Sequence, residues 1–165
     1  MAALCVALGY ALASIPNVEL ISAATFTCGA RSGARRGALV GALAEAVFAG
    51  FNPQGVSPPP LYAAQILGFT LLGAAGGWLR PLVARGPWPL RIIAAGACGL
   101  SLTLVYDVLT NIAVWVTVRE SATFAAVVLG GLSFPFPFAH ALGNTIAFAI
   151  VVPSAVRAIE RWRRR

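Results

Sequence analysis

The segment from Ile92 to Val118 constrains the fold more than any other part of the chain. Its apolar run is interrupted by one charged residue, Asp107. The hydrocarbon core of a bilayer is about 30 Å thick and is crossed by about 20 apolar helical residues. A run of this length therefore predicts a membrane-spanning helix that carries an acidic side chain within it.

Composition extends this prediction to the whole chain. Hydrophobic residues make up 59% of the sequence and charged residues 10%, whereas soluble domains carry about 25% charged residues. We therefore predict an all-α integral membrane protein. The 165 residues have room for six short spans in a single transmembrane domain, residues 1–165, without a separate soluble domain.

Breaks rich in Pro, Gly and Arg divide the apolar runs into six predicted spans. These are residues 2–15, 18–30, 37–51, 61–79, 92–118 and 138–159. The second run is short of the roughly 17–25 residues expected, so we interpret it as a half-span or a protein-buried segment. Segment 121–138 is interpreted as an outer loop or shallow helix, because FPFPF is incompatible with regular helix. The N-terminal run lacks the basic region of a signal peptide and is interpreted as the first helix.

The basic residues indicate the orientation. All twelve are arginines, and a cytoplasmic N-terminus places eleven of them on the cytoplasmic side, with Arg119 as the exception. Such asymmetry follows the positive-inside rule. It predicts a multi-pass protein of the inner (plasma) membrane with both termini in the cytoplasm.

In this topology the polar side chains gather in the outer half of the bundle. Asp107 and Asn111 are four residues apart, as are His140 and Asn144, so each pair shares one helix face. Polar groups inside a membrane usually face the bundle interior or a water-filled cavity and mark functional sites. We predict an outward-opening pocket. Its candidate substrate-binding residues are Asn17, Glu19, Asn52, Gln65, Tyr106, Asp107, Asn111, His140 and Asn144.

These residues also fit structural roles. An aspartate can bond a neighbouring helix, asparagines join helices at about 0.6 kcal/mol per pair, and Asn52 fits a turn with Pro53. Glu45, inside the third span, is expected to make a buried hydrogen bond. Convergence of several polar residues at one depth favours the pocket.

Small residues recur at four-residue spacing on two helices. They are Ala3, Ala7 and Ala11 on the first and Gly37 and Gly41 on the third. Small residues at this spacing let helices approach closely in lipid. Two roles fit them: packing within the bundle, or docking to another membrane subunit.

Several catalytic motifs are missing. The chain has no Walker A, HExxH or GxSxG motif, one histidine and three isolated cysteines. These observations predict that the chain is not an enzyme, carries no cofactor or metal site, and does not hydrolyse ATP through a Walker A site.

Several strings together resemble one family. They are ALGYALASIPNVELI, RSGARRGALVGALAEAVFAGFNP, AAQ of the fourth span, YDVLTN and FAHALGNT. Over nearly its full length the chain resembles the substrate-binding S component of an energy-coupling factor (ECF) vitamin transporter.

The resemblance implies a six-helix bundle that binds a vitamin or similar micronutrient in an outer pocket. It implies two kinds of partner, a transmembrane T component and two cytoplasmic ATPase subunits, with docking through the alanine repeat of the first helix. It also implies closure of the pocket by outer loops, here residues 16–17, 52–60 and 119–137. The alternative is a structural scaffold of the rod-shape-determining type that binds no ligand.

Overall fold

A computed structural model describes residues 1–13, 19–53, 55–133 and 136–163. Throughout these ranges the regular structure is α-helical. The eight helices are α1 (Ala2–Ala11), α2 (Ile21–Ser32), α3 (Ala34–Gly50), α4 (Pro59–Trp78), α5 (Arg80–Ala84), α6 (Trp88–Val118), α7 (Phe124–Gly131) and α8 (Phe136–Arg163).

Three helices in the described ranges are long and apolar enough to cross a membrane. They are α4, α6 and the part of α8 from Pro137 to Trp162, and they identify the chain as a membrane protein. Helices α1, α2 and α3 have 10, 12 and 17 residues, which correspond to about 15, 18 and 26 Å of rise. The count of six full spans and the cytoplasmic location of both termini therefore stay predictions.

The ends of the helices follow local sequence signals. Helices α4 and α6 have proline in their first two positions, where its missing N–H group is not needed. Helix α7 occupies part of the segment predicted as an outer loop or shallow helix. It is capped by Thr123, whose side-chain oxygen accepts a hydrogen bond from the Ala126 N–H at 3.3 Å.

Helix α2 is the most enclosed element of the bundle. Nine of its twelve residues are buried, and it packs against α1, α3, α4 and α8. Phe26 on α2 meets Phe148 on α8 with ring centroids 5.3 Å apart. The segment predicted to be short is accordingly a protein-buried helix, in which Ser22, Thr25 and Thr27 are buried.

Glycine allows α3 and α4 to lie in direct backbone contact. A Cβ atom on Gly37 would fall on the carbonyl oxygen of Gly73, and one on Gly73 would fall on the carbonyl oxygen of Gly37. Gly41 meets the backbone of Phe69 in the same way. Gly37 and Gly41 thus pack inside the bundle, which is one of the two roles expected for them.

The alanines of α1 have the opposite location. Ala3, Ala7 and Ala11 are all exposed, on the face of α1 that points away from buried Cys5 and Gly9. This stripe is available to a neighbour in the membrane.

Helix α3 has its apolar side chains outside and its acid inside. Leu39, Leu43 and Val47, spaced by four, are 60%, 52% and 44% exposed, whereas Glu45 is 2% exposed. In water this distribution would be unfavourable on both counts. It suits a helix whose outer face meets lipid, and it directs Glu45 into the bundle.

Candidate ligand-binding site

Two side-chain hydrogen bonds join α6 to α8. Nδ1 of His140 lies 2.8 Å from Oδ1 of Asp107, and the amide nitrogen of Asn144 donates to the hydroxyl of Thr103 at 3.0 Å. The two α6 residues are four apart, as are the two α8 residues. Because the helices are antiparallel, the pairs form successive rungs of one ladder.

Glu19, which lies just before α2, connects a third part of the chain to this ladder. Its Oε1 accepts a hydrogen bond from the Ser22 hydroxyl and one from the Asn144 amide at 3.4 Å. The same oxygen is 3.8 Å from Nε2 of His140. The imidazole therefore lies between two carboxylates, those of Glu19 and Asp107.

Aromatic side chains form one wall beside the ladder. The ring of Tyr106 stands edge-on to Phe69, at 5.7 Å between centroids, and to His140, at 6.0 Å. Gly68 leaves room for it, since a Cβ there would meet the Tyr106 ring. The Gln65 side chain on α4 lies beside the Tyr106 hydroxyl.

Glu45 joins this cluster from α3. Its carboxylate is close enough to Glu19 and to Tyr106 to interact with both electrostatically. Its Oε2 atom is buried and has no hydrogen-bond partner among the described residues. The hydrogen bond predicted for Glu45 is therefore not found at this oxygen.

Four buried oxygens in this region lack a protein partner within the described ranges. They are Oε2 of Glu45, Oε1 of Gln65, Oδ2 of Asp107 and Oδ1 of Asn144, and a fifth such atom, Oγ1 of Thr25, lies on α2 beside Gly41. Leaving a buried acceptor unsatisfied costs about 1–3 kcal/mol. Their concentration beside one network makes this region the candidate ligand-binding site.

Contacts connect six of the predicted site residues, and two others have contacts elsewhere. The six are Glu19, Gln65, Tyr106, Asp107, His140 and Asn144. Asn111 continues the stripe of Asp107 but lies against Gly131 of α7. The carbonyl of Asn52 accepts from the Gly55 N–H at 3.0 Å, in a turn after α3. Asn17 lies outside the described residues.

Sequence reasoning missed three contributors to the site. Thr103 is one turn before Asp107, and Ser22 is three residues after Glu19. Glu45 is one turn beyond Gly41 on the buried face of α3. Helical spacing from residues already selected was the signal that could have found all three.

The site is remote from the arginines that mark the opposite end of the bundle. Arg80 pairs with Glu160 at 3.6 Å, and Glu160 is 20 residues beyond His140 on α8. At 1.5 Å per residue these positions are about 30 Å apart, the thickness of a hydrocarbon core. The cluster and the arginine-rich end therefore lie at opposite ends of the helix bundle.

Comparison with protein-family models, with curated proteins and with solved structures finds no match for this chain.

Proposed function

We propose that this chain is the substrate-binding S component of an ECF-type ABC importer. It captures a vitamin or similar small polar micronutrient at an outward-facing pocket and delivers it through partner subunits. The observation that carries this proposal is the set of unpartnered buried oxygens on Glu45, Gln65, Asp107 and Asn144. A scaffold that binds no ligand gains nothing from them, because each lowers its stability.

The exposed alanine stripe of α1 supports the proposed partners. Ala3, Ala7 and Ala11 present a small-residue face of the kind that allows close helix approach in lipid. In this proposal the stripe docks on the transmembrane T component, and two cytoplasmic ATPase subunits supply the energy. The chain itself performs no catalysis. It resides in the inner membrane with both termini in the cytoplasm.

The test is purification of the tagged protein from its native membranes in mild detergent, followed by mass spectrometry of proteins and small molecules. We expect a T component, ATPase subunits and a stoichiometric small polar molecule. Cell-wall elongation proteins without any small molecule would contradict the transporter assignment and support the rod-shape scaffold.

The orientation has its own prediction. In a variant whose cysteines are replaced by alanine, Arg85→Cys places a thiol between α5 and α6, and Ser121→Cys places one between α6 and α7. Both positions are exposed. On intact cells, a membrane-impermeant maleimide should label the second thiol and not the first, whereas permeabilised cells should show both. Labelling of position 85 on intact cells would refute the proposed orientation.

Substitutions in the ladder should reduce binding. A hydrogen bond to a charged group contributes about 1.5–3 kcal/mol, so we expect Asp107→Ala to weaken retention of the co-purifying molecule about 10- to 100-fold. Asn144→Ala should also weaken it. Thr117→Ala on α6 is the control, since among the described residues that hydroxyl donates to the Ala113 carbonyl of its own helix. Unchanged occupancy in both ladder variants, with intact size-exclusion profiles, would exclude the ladder as the binding site.

A further inference from the structure

The unpartnered atoms of the site share one chemistry. All four, on Glu45, Gln65, Asp107 and Asn144, are oxygens, and carboxylate and amide oxygens accept hydrogen bonds. The donor side of the Asn144 amide is already used by Thr103 and Glu19. What the protein leaves unsatisfied here is therefore a set of acceptors, and a matching ligand must bring donors.

The charge of the site points the same way. Glu19 and Asp107 place two carboxyl groups against one imidazole, that of His140, and the carboxyl group of Glu45 lies near Glu19. The Arg80–Glu160 pair is about 30 Å away along α8. An anionic ligand would add like charge to a buried, already electronegative cluster, which is unfavourable at low dielectric. A cation would offset it.

The aromatic wall limits the shape of the ligand. Tyr106, in edge-to-face contact with Phe69, lies beside Gln65 and His140, and aromatic rings attract flat rings and cations. A bare metal ion fits less well, because the described residues contain no group of three His, Cys, Asp or Glu side chains placed to hold one.

We infer that the ligand of this site is a flat organic cation with several N–H donors, such as an amino- or amidino-substituted heterocycle, and not a carboxylate or phosphate. The inference rests on the proposed function, since it specifies the substrate class of the same pocket. Glu45 and Asp107 accept from the N–H groups, Gln65 and Asn144 fix the orientation of the ring, and Tyr106 covers one edge.

Three probes of nearly equal size and shape test this class. Benzamidine is a flat cation rich in N–H donors, benzamide is its neutral analogue, and benzoate is a flat anion without donors. Each is added at about 10 mM to purified full-length protein in detergent at constant ionic strength, and thermal unfolding is measured. A ligand at roughly ten times its Kd raises Tm by a few degrees in a chain of this length. We expect a rise of about 2–4 °C with benzamidine, less with benzamide and none with benzoate.

Variants assign the effect to the pocket. Glu45→Gln and Asp107→Asn each replace a carboxyl group by an amide and keep the side-chain shape, and we expect both to abolish most of the benzamidine shift. Glu160→Gln, which removes a carboxylate at the other end of α8, should leave it unchanged. A shift that persists in both pocket variants would overturn the inference.

The outcomes separate this inference from the proposed function. Equal or greater protection by benzoate, or no protection by any probe, would overturn the cationic class, while a co-purifying anionic molecule would still support a transport subunit. Absence of any co-purifying small molecule and of the T component and ATPases would overturn the proposed function itself.

Discussion

Replacing Gly37 with alanine is expected to lower the unfolding temperature by roughly 6–12 °C. The new Cβ would overlap the Gly73 carbonyl oxygen and the Cα of Gly29, both of them backbone atoms. Relief requires α3 to move away from α2 and α4, and overpacking of this kind costs about 3 kcal/mol or more. For a chain of this size each kcal/mol corresponds to roughly 2–4 °C in Tm.

Gly130→Ala provides the matched control. Gly130 lies in α7, where no atom of the described residues is near the place of an added Cβ, so the same substitution adds the same methyl group without overlap. Thermal unfolding followed by tryptophan fluorescence in one detergent should separate the two variants by most of the predicted range. Equal unfolding temperatures would mean that α3 and α4 are not in backbone contact.

Removing the imidazole of His140 is expected to destabilise the protein by about 2–4 kcal/mol. His140→Ala would leave the carboxylates of Glu19 and Asp107 without their shared partner in a largely buried site, since these side chains are 19% and 11% exposed. Removing one member of a buried pair costs more than the pair contributes, because the remaining charge stays desolvated.

The source of this loss can be isolated by a second set of substitutions. If unpaired carboxylates cause it, Glu19→Gln and Asp107→Asn in the His140→Ala background should restore part of the stability. Glu160→Gln is the reference for an exposed pair, because Arg80 and Glu160 are 43% and 29% exposed, and it should cost no more than about 1 kcal/mol. A similar cost for His140→Ala and Glu160→Gln would show that the network contributes little to stability.

The membrane character of the chain could be predicted from sequence because it depends on length and hydropathy alone. Three of the predicted runs, residues 61–79, 92–118 and 138–159, correspond to helices able to span a bilayer. The first three runs form helices at the expected places, but α1 and α2 are shorter than a bilayer crossing and α3 is at its lower limit. Their stability depends on contacts with other helices, such as the glycine contact with α4. Hydropathy carries no information about such contacts.

The site could be predicted in part for a similar reason. Helical spacing placed His140 and Asn144 on one face of α8, which the ladder confirms. The same spacing placed Asn111 with Asp107, yet α7 lies against Asn111. Periodicity determines which residues share a helix face, but it does not determine which neighbouring helix packs against each turn of that face. Glu45 was not assigned to the site because its role depends on the rotation of α3, which only the contacts of Gly37 and Gly41 fix.

The ladder joins residues from both ends of the chain, so it cannot form until synthesis is nearly complete. The hydrogen bond between Glu19 and Asn144 joins residues 125 positions apart in the chain, and His140 comes from the same late helix. A nascent chain that has inserted every helix before α8 still lacks two of the groups that hold Glu19 and Asp107 in place. The ladder is therefore incomplete in partly translated protein and is completed only when α8 packs against α6.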